Sequence, residues 1–253
     1  MLLSLLPFSM REAAYRRRFM DNRDENLFLG CFESFHEAAA GIPPGAAERP
    51  EASEELDIPQ VKLADYPSVF WLGKAFEEGH RHVLELGGQV GVKFYAFRRM
   101  LSYPGDLRWT VCESPAMVER GCELARSRGV GPQLGFVTDM RSAGPFDLLF
   151  ASGSLAYQQA PISELIAALP AKPRRIILNA IAVHPDRTLY TLHHTGSAIA
   201  PCRIQHHDEL LAELGAAGYQ RRDGWRNDGQ PIQVPFVEGG EKPYYAGYCF
   251  DLF

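Results

Sequence analysis

The sequence predicts an α/β fold, a doubly wound and mostly parallel sheet with an antiparallel C-terminal strand and an N-terminal helical arm. Three observations carry this. Five short apolar runs lack strict alternation, as strands do when helices cover both faces of a sheet. Stretches of helical length and spacing separate most of them, the pattern of repeated strand-helix-strand units. A glycine-rich turn follows the first run, at the strand end where sheets of this kind bind ligands.

The apolar runs are residues 82–86, 109–113, 134–137, 146–151 and 175–179. Helices are expected over 93–101, 116–128 and 162–169, with Ser163 as a cap for the last. Residues 208–217 carry Leu210, Leu211 and Leu214 on one face and end at Gly218, which reads as an amphipathic helix closed by a left-handed cap. Strands are expected over 219–225 and 244–253. No helical pattern separates these two, so they should pair antiparallel at the sheet edge. Before the sheet, Leu27, Phe28, Leu29, Phe32 and Phe35 supply apolar surface for a helical arm to pack with, and residues 41–55, rich in Pro, Gly, Ala and Glu, read as a connector. The expected division is an arm and connector over 1–56 and a ligand-binding domain over 57–253.

Composition narrows the function classes. With 46% hydrophobic and 23% charged residues, the 253-residue chain reads as an ordinary globular protein. A net charge of -5 does not supply the positive excess that neutralises phosphates, and the basic run Arg16 to Arg18 is short, so nucleic acid is not expected as a partner. Five scattered cysteines lack the paired spacing of zinc or redox motifs and fit reduced thiols in the cytoplasm. The apolar opening, residues 1–8, is too short to span a bilayer and lacks both a preceding basic stretch and a cleavage signature; neither export nor a membrane span is expected.

The segment Val83-Leu84-Glu85-Leu86-Gly87-Gly88-Gln89-Val90-Gly91 runs from strand through glycine turn into a helical pattern. Glycines there let backbone approach a ligand, and the next helix presents unpaired amides. Glu85, two positions before Gly87, suits the protonated amine of a ligand's amino-acid end. Glu113, closing the second run, can accept hydrogen bonds from both hydroxyls of a ribose. Asp139, just past the third, is placed for an adenine amino group, beside Thr138 and Met140. Together these point to S-adenosyl-L-methionine. The strict dinucleotide spacing is absent, since the glycine after Gly87 and Gly88 is Gly91, and this weakens a nicotinamide reading without removing it.

Ser152, Gly153, Ser154 and Tyr157, after the fourth run, should floor the reaction site, where small residues leave room for substrate. Methyl transfer to a hydroxyl needs an aligned nucleophile and a proton acceptor. His184, expected in the loop after the fifth run, ranks first as that acceptor, followed by His193 and His194; His206 and His207 should precede or begin a helix. No metal is expected. Neither adjacent histidine pair has the i, i+4 spacing that puts two ligands on one helix face, and the acidic neighbours are Asp186 and Asp208 alone. Trp71, Trp225, Tyr244, Tyr245 and Tyr248 could stack on a sugar or fill the core.

Residues 83–88 and 92–99, with 106–113 and 151–157, resemble a bacterial group of class I S-adenosylmethionine-dependent methyltransferases often encoded beside cell-surface polysaccharide or other glycan genes. The similarity extends to 65–72, 201–204 and 210–219, and residues 28–40 are similar to that group's N-terminal arm. It departs at Gln89, where the group carries glycine. The resemblance implies a Rossmann-like sheet and methylation of a small molecule or glycan. Two other readings stay open, a nicotinamide-dependent oxidoreductase and a non-catalytic scaffold on the same fold. A homodimer is compatible with the sequence and not indicated by it.

Overall fold

In the computed structural model, residues 7–46, 60–237 and 239–253 are described. Five parallel strands form the heart of the sheet: β2 (His82–Leu86), β3 (Arg108–Cys112), β4 (Leu134–Val137), β5 (Leu148–Ser152) and β6 (Arg175–His184). They lie in the spatial order β4, β3, β2, β5, β6. All pair parallel, so each connection is a crossover, made by α4 (Val92–Phe97) between β2 and β3, α5 (Pro115–Ser127) between β3 and β4, and α6 (Ile162–Ala167) between β5 and β6. The sheet reverses direction of growth between β2 and β5, which puts a crevice beyond the carboxyl ends of these two strands. After α7 (His207–Ala216), β9 (Tyr219–Asn227) and β10 (Tyr244–Leu252) complete this sheet, β10 antiparallel between β6 and β9.

The expected parallel strands and the late antiparallel pair are present, with ends displaced by up to two residues except at the end of β6. The helix expected over 93–101 stops at Phe97. Ser163 does not cap α6, whose N-cap is Pro161; its hydroxyl instead donates to Glu213 Oε1 at 2.6 Å, tying α6 to α7. A further helix, α3 (Tyr66–Glu77), is not among the expected elements, although Val69, Leu72 and Phe76 stand at i, i+3 and i+7. It buries Val69, Leu72, Ala75 and Phe76 beneath the sheet with Trp109, Leu148 and Phe150.

The larger departure lies above the carboxyl ends. β6 does not stop at Asn179. It passes through a bulge at Ala180, which takes a left-handed φ of 50°, and continues to His184. Beyond the bulge, Val183 and His184 pair with Gln205 and His206 of β8 (Ile199–His206), which pairs antiparallel with β7 (Leu189–His194). The arm supplies the next strand. It folds as α1 (Phe8–Met20), β1 (Leu27–Phe32) and α2 (Phe35–Ala40), and β1 pairs antiparallel with β7, Phe28 opposite His193. The arm is therefore helix, strand and helix. The apolar residues Leu27, Phe28 and Leu29 alternate sides of a strand buried on both faces and do not form a helical stripe. Of the connector, residues 47–55 lie outside the described residues, as does the expected domain start at Asp57.

Two main hydrophobic clusters cover the two faces of the sheet, one around Leu149, Ile176, Leu178 and Phe250, the other around Trp109, Phe94 and Phe150. Two smaller clusters fill the cap made by β1, β7 and β8. Among the described residues, no helix is long and apolar enough to cross a membrane.

Candidate functional site

The residues 87–91 form the turn between β2 and α4, with Gly91 as the N-cap of α4. Two approaches fix its shape. A Cβ on Gly87 would fall 2.5 Å from the Ser154 Cβ, and a Cβ on Gly88 would run into the Glu85 carboxylate. The turn thus lies directly against the segment after β5 on one side and over a buried acid on the other. Ser154 reinforces the first contact by donating its hydroxyl proton to the Leu86 carbonyl.

Glu85 is 1% exposed, and its Oε2 accepts the Trp109 indole N–H at 2.7 Å from the neighbouring strand. Burial pushes its carboxyl up to about 7, an effect that the Trp109 hydrogen bond and the Lys93 ammonium only partly offset. Glu113, just past β3, accepts from the Gln89 backbone N–H at 3.2 Å and from the Ser114 N–H at 2.8 Å. A carboxylate has about four lone-pair sites, so both oxygens keep capacity for a further donor. Asp139 caps the short turn 140–142. Its carboxyl is held below the usual range by the hydrogen bonds from Arg141, which chelates both oxygens at 2.7 to 3.0 Å.

Gln89 occupies the turn with φ of 54°, in the left-handed region where a side chain is strained. Gln89→Gly should relieve that strain and retain the backbone bond to Glu113. The expected gain is up to about 1 kcal/mol, roughly 1–3 °C in melting temperature, because the greater freedom of glycine in the unfolded chain offsets part of the relief. A thermal melt that is lower in the variant refutes this account.

Ser152, Gly153 and Ser154 follow one another at the end of β5, as expected. Ser152 is tied into a polar network that the sequence does not announce. Asn179 Nδ2 donates to Ser152 Oγ at 3.2 Å and to Asp65 Oδ1 at 3.0 Å, while the Trp225 indole donates to Asn179 Oδ1 at 3.1 Å. Lys93 Nζ sits 2.7 Å from both Asp65 oxygens. The side-chain partners of Asp65, Lys93 and Asn179, lie 28 and 114 residues away, so no local spacing could have revealed the cluster.

The three candidate catalytic residues divide. Tyr157 and His193 meet, the phenol oxygen 2.7 Å from His193 Nδ1. Phe28 of β1 lies flat on the imidazole, ring centroids 4.3 Å apart and planes 3° from parallel. Burial drives the His193 imidazole down to about 4 and the Tyr157 phenol well above its ordinary value, so both are neutral near pH 7. Tyr157 therefore donates to Nδ1, or the imidazole donates to the phenol oxygen; either tautomer leaves His193 Nε2, buried, without a partner.

His184 stands apart. It is not in a loop but is the last residue of β6, 2% exposed, with its Nδ1 accepting the Asp186 N–H at 3.0 Å. It pairs with His206, at the opposite end of the β7–β8 hairpin from His193, and burial lowers its pKa as well. His206 closes β8 and His207 opens α7, in agreement with the sequence reading. Arg203, also unforeseen, reaches from β8 to the carbonyls of Gln159 and Ala160 and ties the cap to the segment that follows Tyr157.

No family model and no curated protein matches the chain. Solved structures do resemble it. The N-terminal domain of EvdMO1, in the presence of SAH and D-fucose, aligns over 87% of this chain and 95% of its own with 15% identity and a TM-score of 0.54. The cyclase SpnF aligns over 86% of this chain and 91% of its own, with 18% identity and a TM-score of 0.52. Magnesium protoporphyrin IX methyltransferase from Synechocystis PCC 6803, with bound SAM, aligns over 77% and 86% with 16% identity and a TM-score of 0.48. The architecture is the mixed α/β, Rossmann-like sheet of the EvdMO1 domain and SpnF. At such identity the likeness defines the fold and leaves the activity to be argued from the site.

Proposed function

We propose that the chain is an S-adenosyl-L-methionine-dependent methyltransferase that methylates a hydroxyl oxygen of a small molecule. One observation carries this: buried Glu85 beneath the glycine turn and Glu113 bonded to that turn's backbone put carboxylates at two adjacent strand ends around one crevice. The residues fit the cofactor. Glu85 is a buried acid whose carboxyl burial pushes up to about 7, and a ligand ammonium nearby would favour its charged form. Glu113 has lone pairs for a ribose diol, and Asp139 has them for an adenine amino group despite its Arg141 partner. Gly87, Gly88, Gln89 and Gly91 shape the turn; Ser152, Gly153 and Ser154 border its far side. The resemblance to class I methyltransferases and the SAH present with the EvdMO1 domain support the same cofactor.

Bound there, S-adenosyl-L-methionine would supply an electrophilic methyl for the acceptor oxygen, its sulfur keeping the electron pair of the broken sulfur–carbon bond. His193 takes the acceptor's proton at Nε2, the buried nitrogen without a partner, in the tautomer whose Nδ1–H donates to the Tyr157 oxygen. An imidazole with a pKa of about 4 is too weak a base to ionise an alcohol beforehand. It suffices once the oxygen becomes cationic on bonding to carbon, because its proton is then strongly acidic. Tyr157 fixes the imidazole through Nδ1, and Phe28 fixes its plane. In this reading the arm, within residues 1–56, joins β7 and β8 of the domain over 57–253 to serve the acceptor, and the parallel strands of that domain serve the cofactor.

Calorimetric titration tests the proposal. S-adenosylhomocysteine should bind with a micromolar dissociation constant, a range usual for metabolic enzymes, and Glu113→Ala should weaken it at least tenfold by removing the ribose acceptor. No heat with either S-adenosylmethionine or S-adenosylhomocysteine ends it. A second reading, a protein that keeps the fold without methyl transfer, draws on the strained Gln89 and on the cyclase SpnF having the same architecture. It predicts no turnover with any acceptor and tighter cofactor binding in Gln89→Gly.

A further inference from the structure

The connection between β9 and β10 does not run free over the surface. Ile232 is 2% exposed and belongs, with Val234, to the same apolar cluster as Phe28, Ala156, Cys202, Ile204, Tyr157 and Tyr245. Four residues further on, Phe236 takes a left-handed φ of 62°. Its ring meets Phe8 at 5.3 Å and Tyr15 at 5.9 Å, both edge-on, which fastens this strap to α1. Positive φ at Gly239 and Gly240 gives the strap a turning point before β10, and Glu241 N–H holds that end to Asp186. A non-glycine residue in the left-handed region persists only where its surroundings impose it, and such strain gathers at clamps and switches.

We propose that Ile232 and Val234 stand where the acceptor's body lies in the working complex, and that the acceptor is a compact apolar or aromatic compound presenting a single hydroxyl to His193. This rests on the methyltransferase reading above. Three features carry it. Tyr157 packs against the cap cluster, whose Phe28 lies on the His193 ring. The Phe28 ring lies parallel to the imidazole, so a flat acceptor would continue a stack already begun. Most decisively, His193 Nε2 is the one buried, partnerless side-chain atom among the described residues that borders this cluster. It offers hydrogen bonding to one hydroxyl. A sugar would bring several, and each hydroxyl buried without a partner lowers affinity about tenfold or more. Entry requires the strap to lift, and the apparent affinity is reduced by the fraction of molecules in which it stays down.

The test is titration of the full chain, loaded with S-adenosylhomocysteine, with 2-naphthol, D-fucose and D-glucose. The naphthol should bind and the sugars should give no heat. Phe236→Gly, which frees the strap from α1 and leaves the Tyr157–His193 pair untouched, should tighten naphthol binding roughly threefold to tenfold. His193→Phe should weaken it at least tenfold. If that variant does not fold, the imidazole nitrogen resonances of the unaltered protein serve instead: Nε2 of His193 should shift on adding 2-naphthol. Sugar binding with a silent naphthol overturns the proposal. So does silence from every compound, or naphthol binding that neither Phe236→Gly nor His193 responds to. S-adenosylhomocysteine failing to bind at the outset refutes the cofactor reading instead, which keeps the two failures distinct.

Discussion

Replacing Glu85 by glutamine is expected to shift the stability of the ligand-free protein by about 3 kcal/mol between pH 4.5 and 7, in the variant's favour at the higher pH. In the folded chain the Glu85 carboxyl holds its proton until about pH 7, whereas the unfolded chain releases it near the ordinary value of 4.5. Between these values the folded state binds more protons, so its stability falls as pH rises, by about 1.4 kcal/mol for each unit of separation. Glutamine keeps an acceptor for the Trp109 indole and has no charge to bury. His193 acts in the opposite sense. Its imidazole is pushed down to about 4, so the folded state binds fewer protons than the unfolded one up to about 6.5, and stability rises across that window. The wild-type profile is therefore the difference of two opposed slopes. The measurement that isolates Glu85 is the gap between wild type and Glu85→Gln, read from denaturant unfolding at pH 4.5, 6 and 8 without cofactor. A gap that does not change with pH rules out a Glu85 carboxyl raised by burial.

Replacing His193 by glutamine should lower kcat/KM for methyl transfer by about 10²–10⁴, the usual contribution of a positioned proton acceptor. S-adenosylhomocysteine affinity should hardly change, because His193 lies in the cap and the carboxylates of the crevice do not touch it. In the wild type, kcat/KM should stay level above about pH 5 and fall below it as the imidazole protonates near 4; the variant should lack that limb. Tyr157→Phe removes only the bond at Nδ1 and should cost less, about tenfold, while leaving the limb in place. His184→Gln is the discriminating control. A larger loss there than at His193 would move the proton acceptor to the end of β6.

The sheet was legible because its strands obey a simple rule. Residues 83–86, 148–151 and 175–179 are buried on both faces, and continuous apolar sequence is the direct imprint of that burial. The glycine turn was legible for a related reason, since Gly87 and Gly88 stand where another side chain or backbone leaves no room for Cβ. The cap was not. Leu189-Tyr190-Thr191-Leu192-His193-His194 mixes apolar and polar residues, and its histidines are buried by stacking and by pairing with distant partners, which local pattern does not record. Reading β1 as helix has the same origin. Its neighbour β7 is remote in sequence, and an isolated six-residue apolar segment is compatible with either state. Three acids at strand ends could be found by position, but that two of the proposed catalytic groups would bond to each other, and the third stand apart, depended on the register of a hairpin.

The pairing of β1 with β7 also sets an order of events during synthesis. Leu29 accepts a hydrogen bond from Thr191, 162 residues later in the chain. At 5–20 residues per second, the ribosome needs roughly 8–30 s to deliver that partner after Leu29 has been made. For that interval β1 has no edge to join, and its apolar residues await a surface that does not yet exist. This segment is thus made long before it can dock, and a nascent chain stalled before the hairpin emerges would present an unpaired strand to its neighbours.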